Sequence, residues 1–412
     1  MLRKFVTASA VVTLFSSLQS VYADDAGLSR VRAMLESGRE TVRIVCFGDS
    51  VTGVYYHTGG RRAWPDMLRI ALKKQYPKAK IEVFNTGVSG NTTDAALQRI
   101  ERDVIAKKPH VVNVMFGLND VVAGNRPAYR ENLKTIIRRC RDAGAAVVLC
   151  TPNSVYPNAA RPMSTVAEYA EIVRDVAQKE SVALADCFRA YEDVRRRDAT
   201  EWMLLMSEDI HPCMGGHRLF AETAARAISG ESVSLADAPP LSDALQFTLA
   251  RLKASQPVNV VAMPPYDKIV PDVLKEFFPT ARVDVTTWPV EGQSLDAMEA
   301  WSKGIRAKSP TLVVLAVPVG ANAKDDEAFI RSYNWIINWS TSYQLAAWDL
   351  MFILPNVTAS TESNNCRHTD LARRIIAGYD AEYIDRKDGD RRSARQIVSE
   401  WVGQRMNKPH GD

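Results

Sequence analysis

Two hydrophobic rhythms alternate along most of the chain. Short apolar runs occupy residues 42–47, 81–85, 110–116, 145–151 and 182–186. Between them, at 64–75, 93–107, 127–143, 165–180 and 216–228, apolar residues recur every three or four positions. The short runs read as strands covered on both faces, and the longer stretches as helices with one apolar side. Pro65 and Pro127 fall in the first helical turn, where no backbone N–H is needed. Strands alternating with helices predict a three-layer α/β/α sandwich around a mostly parallel sheet. Residues 229–241 break the pattern with Gly, Ser, Ala and two prolines, as a linker does. The alternation then restarts, with strands expected at 258–263, 281–286 and 311–317 and a helix at 295–308.

The second half repeats the first in register. Val88-Ser89-Gly90-Asn91-Thr92-Thr93-Asp94-Ala95 aligns with Val290-Glu291-Gly292-Gln293-Ser294-Leu295-Asp296-Ala297, sharing valine, glycine, aspartate and alanine. Ala106-Lys107-Lys108-Pro109 aligns with Ala307-Lys308-Ser309-Pro310, and Thr151-Pro152-Asn153 with Leu354-Pro355-Asn356. Self-similarity over so long a period predicts a duplicated fold. The expected units are a first domain at 28–230, a linker at 231–244 and a second α/β domain at 245–405.

Arg3 and Lys4 precede an apolar run at 5–18, and Val21-Tyr22-Ala23 offers small residues for cleavage before Asp24. This is the pattern of a signal peptide over 1–23, and the run is too short to span a bilayer. The expectation is an exported protein, periplasmic or secreted, with no transmembrane anchor in its mature form. Lys plus Arg is 52 and Asp plus Glu is 48, a net +4 that falls to +2 when Arg3 and Lys4 leave. A chain so near neutrality lacks the basic excess of a nucleic-acid binder. Its 412 residues, 46% hydrophobic and 24% charged, can bury a core without disulfides. Cys46 and Cys150 lie inside strand-like runs and read as buried thiols; Cys140, Cys187, Cys213 and Cys366 are free to pair. The six histidines are isolated, no HExxH or Cys/His cluster occurs, and neither a Walker nor a Rossmann glycine fingerprint is present. No metal or cofactor is expected.

The candidate chemistry lies in the first half. Gly48-Asp49-Ser50 follows the first strand, which presents a serine at the carboxyl edge of the sheet, where ligands bind in open α/β folds. Asn85-Thr86-Gly87-Val88-Ser89-Gly90 follows the second strand and Gly117-Leu118-Asn119-Asp120 the third. Ser207-Glu208-Asp209-Ile210-His211-Pro212 precedes the closing helix. These four ordered blocks, over residues 40–228, resemble the SGNH-hydrolase (GDSL esterase/lipase) superfamily, with its flavodoxin-like fold.

The resemblance implies a serine esterase in which Ser50 is the nucleophile and His211 its base. An oxyanion hole would be built from the Ser50 and Gly87 N–H groups and the Asn119 amide. The family has aspartate three residues before the histidine; here Glu208 stands there and can orient the imidazole as aspartate does, so spacing favours it over Asp209, one residue nearer. Just beyond the nucleophile, Tyr55-Tyr56-His57-Thr58-Gly59-Gly60-Arg61-Arg62 forms a glycine-rich loop. His57 and Arg61 are candidate substrate contacts, with a solvated face as the plainer alternative. His217 and His368 read as structural.

In the second half Pro264-Pro265-Tyr266 stands opposite Gly48-Asp49-Ser50, so the nucleophile is absent. Trp288-Pro289 and Pro318-Val319-Gly320 replace the other blocks, which marks a degenerate copy. The expected substrate is a small-molecule or polysaccharide ester, foremost an O-acetyl group on carbohydrate. A lysophospholipase or thioesterase acting on fatty-acyl chains, and a non-catalytic glycan-binding protein, are the alternatives.

Overall fold

A computed structural model describes residues 25–241, 244–318, 320–321, 323–358 and 367–406, which leaves the expected signal peptide and Cys366 outside the described residues. Two five-stranded sheets organise the chain. The first contains β1 (Thr41–Gly48), β2 (Lys80–Gly87), β3 (Val111–Met115), β4 (Ala146–Cys150) and β5 (Ala183–Ala185), in the order β2-β1-β3-β4-β5. The second contains β6 (Val258–Ala262), β7 (Val283–Thr287), β8 (Leu312–Leu315), β9 (Asp349–Ile353) and β10 (Tyr383–Ile384). Its order, β10-β9-β8-β6-β7, is that of the first sheet read from the opposite edge. All pairings are parallel.

The central strands β3, β4 and β8 are buried at every position, which is why their sequences are uninterrupted apolar runs. The amphipathic stretches became helices such as Trp64–Gln75, Arg126–Asp142 and Met163–Lys179. Asn125 caps the second of these by accepting the Ala128 N–H at 3.1 Å.

Both long helices expected at 93–107 and 295–308 are shorter in the structure. Each stops, at Asp103 and at Ser302, and ends in a one-turn 3₁₀ segment, Ile105–Lys107 and Arg306–Lys308. Lys108 and Ser309, each just before a proline, then turn left-handed at φ 50° and φ 46°. The proline disfavours the right-handed helical conformation in the residue before it, so helix cannot continue there. The two halves break in the same way at aligned positions.

Each sheet has its own apolar core, one around Phe47, Leu68 and Val147, the other around Val261, Phe329 and Phe352. The halves are joined by polar contacts. The buried Asp380 carboxylate pairs with Arg62 at 2.6 Å and Arg218 at 3.1 Å. Asn334 and Asn338, on the helix Asp326–Ser340, donate to the carbonyls of Met206 (3.1 Å) and Ser207 (3.0 Å). Among the described residues no helix is long and apolar enough to cross a membrane.

Candidate active site

The register of β1, β2 and β3 sets Gly48 level with Gly87 and with Met115, so the loops that follow begin together. Glycine is required at two of these strand ends. A Cβ on Gly48 would lie 2.0 Å from the Thr52 hydroxyl, and one on Gly87 would lie 2.2 Å from the Gly53 nitrogen. A buried arginine draws the same loops together. Arg99 donates to the carbonyls of Thr86 (2.7 Å) and Gly48 (2.8 Å) and to Asn91 Oδ1 (2.7 Å), with its guanidinium over the Phe47 ring.

At the head of this assembly Ser50 Oγ lies 2.7 Å from His211 Nε2. On the far side of the ring, His211 Nδ1 bonds to Glu208 Oε1, which also accepts the His211 N–H at 2.9 Å. Glu208 Oε2 accepts the Ile210 N–H at 3.3 Å. Burial by itself would raise the Glu208 pKa; the His211 charge and these hydrogen bonds outweigh it and hold the carboxyl below its ordinary value. Asp209 points elsewhere. Its carboxylate pairs with Arg331 of the second half at 2.6 Å.

Asn119 has its amide fixed at both ends. Nδ2 donates to the Asn91 carbonyl at 3.0 Å, and Oδ1 accepts from Arg161 at 3.2 Å. A second hydrogen remains on Nδ2. Arg161 also donates to the Leu118 carbonyl at 2.9 Å, so this side chain holds the start of the short helix Leu118–Ala123 that carries Asn119. The Gly87 N–H is engaged with Asn85 Oδ1 at 3.0 Å. Asn85 in turn donates to the Thr52 carbonyl at 2.8 Å.

Two expectations from the sequence are corrected. His57 is fully buried, not part of a substrate-facing surface. Its ring stacks on His211 at 4.4 Å with 6° between planes, and His217 stacks on its other face at 5.7 Å. The 55–62 loop folds back under the His211 loop, which carries the ring inward. Burial and repulsion from the neighbouring imidazoles hold His57 well below the ordinary histidine value, and hold His217 at about 3. Both rings are therefore neutral. The Ser50 and Pro212 carbonyls face His57 without closing a full hydrogen bond. Arg61 also turns away, donating to the Leu241 carbonyl at 2.7 Å and so anchoring the linker.

The histidines read as structural have packing roles: His217 Nδ1 accepts the Trp64 N–H at 3.0 Å, and His368 stacks on Phe329 at 4.3 Å. Cys46, Cys140, Cys150, Cys187 and Cys213 are all free and buried. Among the described residues no cluster of three or more His, Cys, Asp or Glu side chains is placed to hold a metal ion. Sequence reasoning missed Arg99 and Arg161. Neither stands out in a chain with so many exposed arginines, and each acts only through carbonyls and amides brought close by the fold.

The corresponding edge of the second sheet is filled. Tyr266 begins a helix where Ser50 stands in the first half, and its hydroxyl bonds to Thr358 at 2.9 Å. Trp288 donates its N–H to the end of β6 (Ala262 carbonyl, 2.8 Å), as Val88 does to Gly48 (3.1 Å), but its ring is buried and stacked on Trp301.

The model of the GDSL-like lipase/acylhydrolase family matches residues 46–219. The chain is 30% identical over 175 residues to an acetylxylan esterase of Geobacillus stearothermophilus, spanning 39% of this chain and 78% of that protein. It is 28% identical over 171 residues to an arylesterase of Vibrio mimicus, spanning 41% of this chain and 80% of that one. The solved structure of the acetylxylan esterase Axe2 from Geobacillus stearothermophilus superposes with a TM-score of 0.41 at 25% identity, covering 46% of this chain and 95% of that one.

Proposed function

Because the chain belongs to the GDSL-like lipase/acylhydrolase family and is a carboxylic ester hydrolase, we propose that Ser50, His211 and Glu208 carry its chemistry and that it removes acetyl groups from carbohydrate. One observation carries the assignment of roles: the unbroken hydrogen-bonded line from Ser50 Oγ through the His211 ring to Glu208. A serine hydroxyl is a weak nucleophile until a base accepts its proton. His211 Nε2 takes that proton as Oγ attacks the ester carbonyl, and the new charge on the ring is met by Glu208 at Nδ1. His211 then delivers the proton to the departing alkoxide. Water, deprotonated by the same nitrogen, attacks the acyl-enzyme and releases acetate.

The tetrahedral oxygen needs fixed donors. The Ser50 N–H and the second Asn119 hydrogen supply two. The Gly87 N–H contributes only by sharing its hydrogen with Asn85 Oδ1. Removing one donor of this kind typically costs roughly 10²–10³ in rate.

The acetyl-carbohydrate substrate draws its support from the acetylxylan esterase relative and from Tyr56, packed next to His211, with Tyr343 packed on Tyr56. The basic, apolar and small-residue order of residues 1–23 supports export, where acetylated polysaccharide is met. In this reading residues 245–405 are a non-catalytic copy of the fold. Acyl-chain preference on nitrophenyl esters, with acetate release from acetylated xylan, tests the substrate. Acetate preferred over long chains supports it, and the reverse order favours a fatty-acyl hydrolase.

A further inference from the structure

The second half approaches the candidate active site along a single aromatic line. On the helix Asp326–Ser340, Arg331, Trp335 and Trp339 recur at intervals of four and so share one face, and Tyr343 follows at the same interval beyond the helix end. Trp335 and Trp339 stack at 5.8 Å, both half-buried. The Arg306 guanidinium lies over Trp339 (5.0 Å), Tyr343 (5.7 Å) and Tyr56 (5.5 Å), held by the carbonyls of Thr341 (2.9 Å) and Asn338 (2.8 Å). Tyr343 packs against Tyr56 at 5.9 Å and Tyr55 at 6.0 Å, and Tyr56 meets His211 edge-on at 6.1 Å. A row of rings, bridged between Tyr343 and Trp339 by the Arg306 guanidinium, thus leads from His211 onto the second domain.

Tyr343 remains 51% exposed, where core packing alone would have covered it. Its backbone is nonetheless fixed. Its carbonyl accepts the Tyr56 N–H at 3.1 Å, and Ala346 donates to the Gly60 carbonyl at 2.9 Å. Rigid, half-exposed rings with a cation behind them offer faces for the C–H side of a pyranose, and Arg306 has donors for its hydroxyls. Four helical residues advance about 6 Å, comparable to one sugar ring, so the row matches successive units of a linear chain.

We infer that Trp335, Trp339 and Tyr343 form a sugar-binding track through which the second domain holds the polysaccharide backbone flanking the ester. The occupant is a neutral pyranose chain: Arg331, on the same face, is paired with Asp209, and Arg306, set over three rings, is left to bond hydroxyls. The inference rests on the carbohydrate reading above, and it gives the degenerate half a task its lost nucleophile does not preclude.

Binding of xylohexaose to Ser50→Ala, followed by calorimetry, separates the track from the chemistry. Adding Trp335→Ala or Tyr343→Ala is expected to weaken binding about 5- to 10-fold, as loss of one aromatic contact does. Tyr343→Trp is expected to restore it. In the active enzyme the same alanine changes should raise KM for acetylated xylooligosaccharide while kcat holds. Xylohexaose that fails to bind, or that binds Ser50→Ala and its alanine variants equally, overturns the track. If wild type cleaves nitrophenyl acetate while xylohexaose does not bind, only the track falls. Xylohexaose bound without any ester cleavage leaves the track standing and removes the esterase roles.

Discussion

Asp209 and Arg331 pair at 2.6 Å across the junction of the two domains, so the carboxylate next to Glu208 serves the interface and not the imidazole. The Arg331 guanidinium also lies over the Tyr156 ring at 4.4 Å, and the Tyr156 N–H bonds back to the Asp209 carbonyl at 2.9 Å. Asp209→Ala is therefore expected to keep kcat on nitrophenyl acetate within about twofold of wild type. Both partners are about a third exposed, so water screens the pair and its loss should cost only about 0.2–1 kcal/mol. Thermal unfolding and steady-state rates, measured side by side, check both expectations.

Asp49 makes the stability of the first domain depend on pH. Its carboxyl is fully buried, and burial raises its pKa from 3.8 to about 7, even though the Val51 N–H at 2.9 Å favours the charged form. His211 and Arg161 also lower it and Asp120 raises it, all more weakly than burial. Between pH about 4 and 7 the folded chain keeps a proton that the unfolded chain has released. Stability must then fall as pH rises through that window. Asp49→Asn keeps the acceptor for Val51 and removes the titration. Its urea midpoint should change less than that of wild type between pH 4.5 and 8; parallel profiles would refute the assignment.

His57 supports His211 by contact alone. Its neutral ring is sandwiched between His211 and His217, so it fixes the plane of the imidazole without competing for its proton. His57→Ala should lower kcat on nitrophenyl acetate roughly 10- to 100-fold with little change in KM, the scale of a small misplacement of a reacting group. His57→Phe, which retains a stacking ring, should recover most of that loss. Equal damage from both variants would mean that the ring nitrogens, not the stack, are needed.

Gly60 sets how closely the domains meet. It has φ +66°, and a Cβ there would stand 2.5 Å from the Gln344 carbonyl oxygen and 2.7 Å from the Ala346 nitrogen. Both are backbone atoms that cannot swing aside. Gly60→Ala should destabilise the protein by about 1–3 kcal/mol and loosen Tyr343 against Tyr56. Denaturant unfolding reads the first effect, and fluorescence of the neighbouring tryptophans the second.

Most of the architecture was legible in the sequence, because parallel strands covered on both faces leave unbroken apolar runs. The helix at 64–75 matches its expected bounds, and the restart after residue 241 announced the second sheet. The meeting of Ser50 with His211 followed from the order of four loops at one sheet edge. Spacing favoured Glu208 over Asp209 without deciding between them, because what occupies Asp209 is Arg331, more than a hundred residues away in sequence. His57 was misplaced for a related reason. A polar ring in a glycine-rich loop reads as exposed until the packing of His217 beneath it is known. The break of the helix expected at 93–107 escaped a reading of hydrophobic period alone, since it lies in the backbone, at Val104 (φ −121°) and Lys108 (φ 50°).

The most direct measurement is nitrophenyl acetate hydrolysis by the full chain beside Ser50→Ala, Glu208→Ala and Asp209→Ala, each confirmed folded by its thermal transition. Ser50→Ala should abolish the activity, and Glu208→Ala should lower kcat roughly 10²–10⁴-fold, as loss of the orienting acid does in serine hydrolases. Asp209→Ala should stay near wild type. Activity that survives Ser50→Ala, or that falls with Asp209 while Glu208→Ala remains active, would contradict the Ser50–His211–Glu208 assignment.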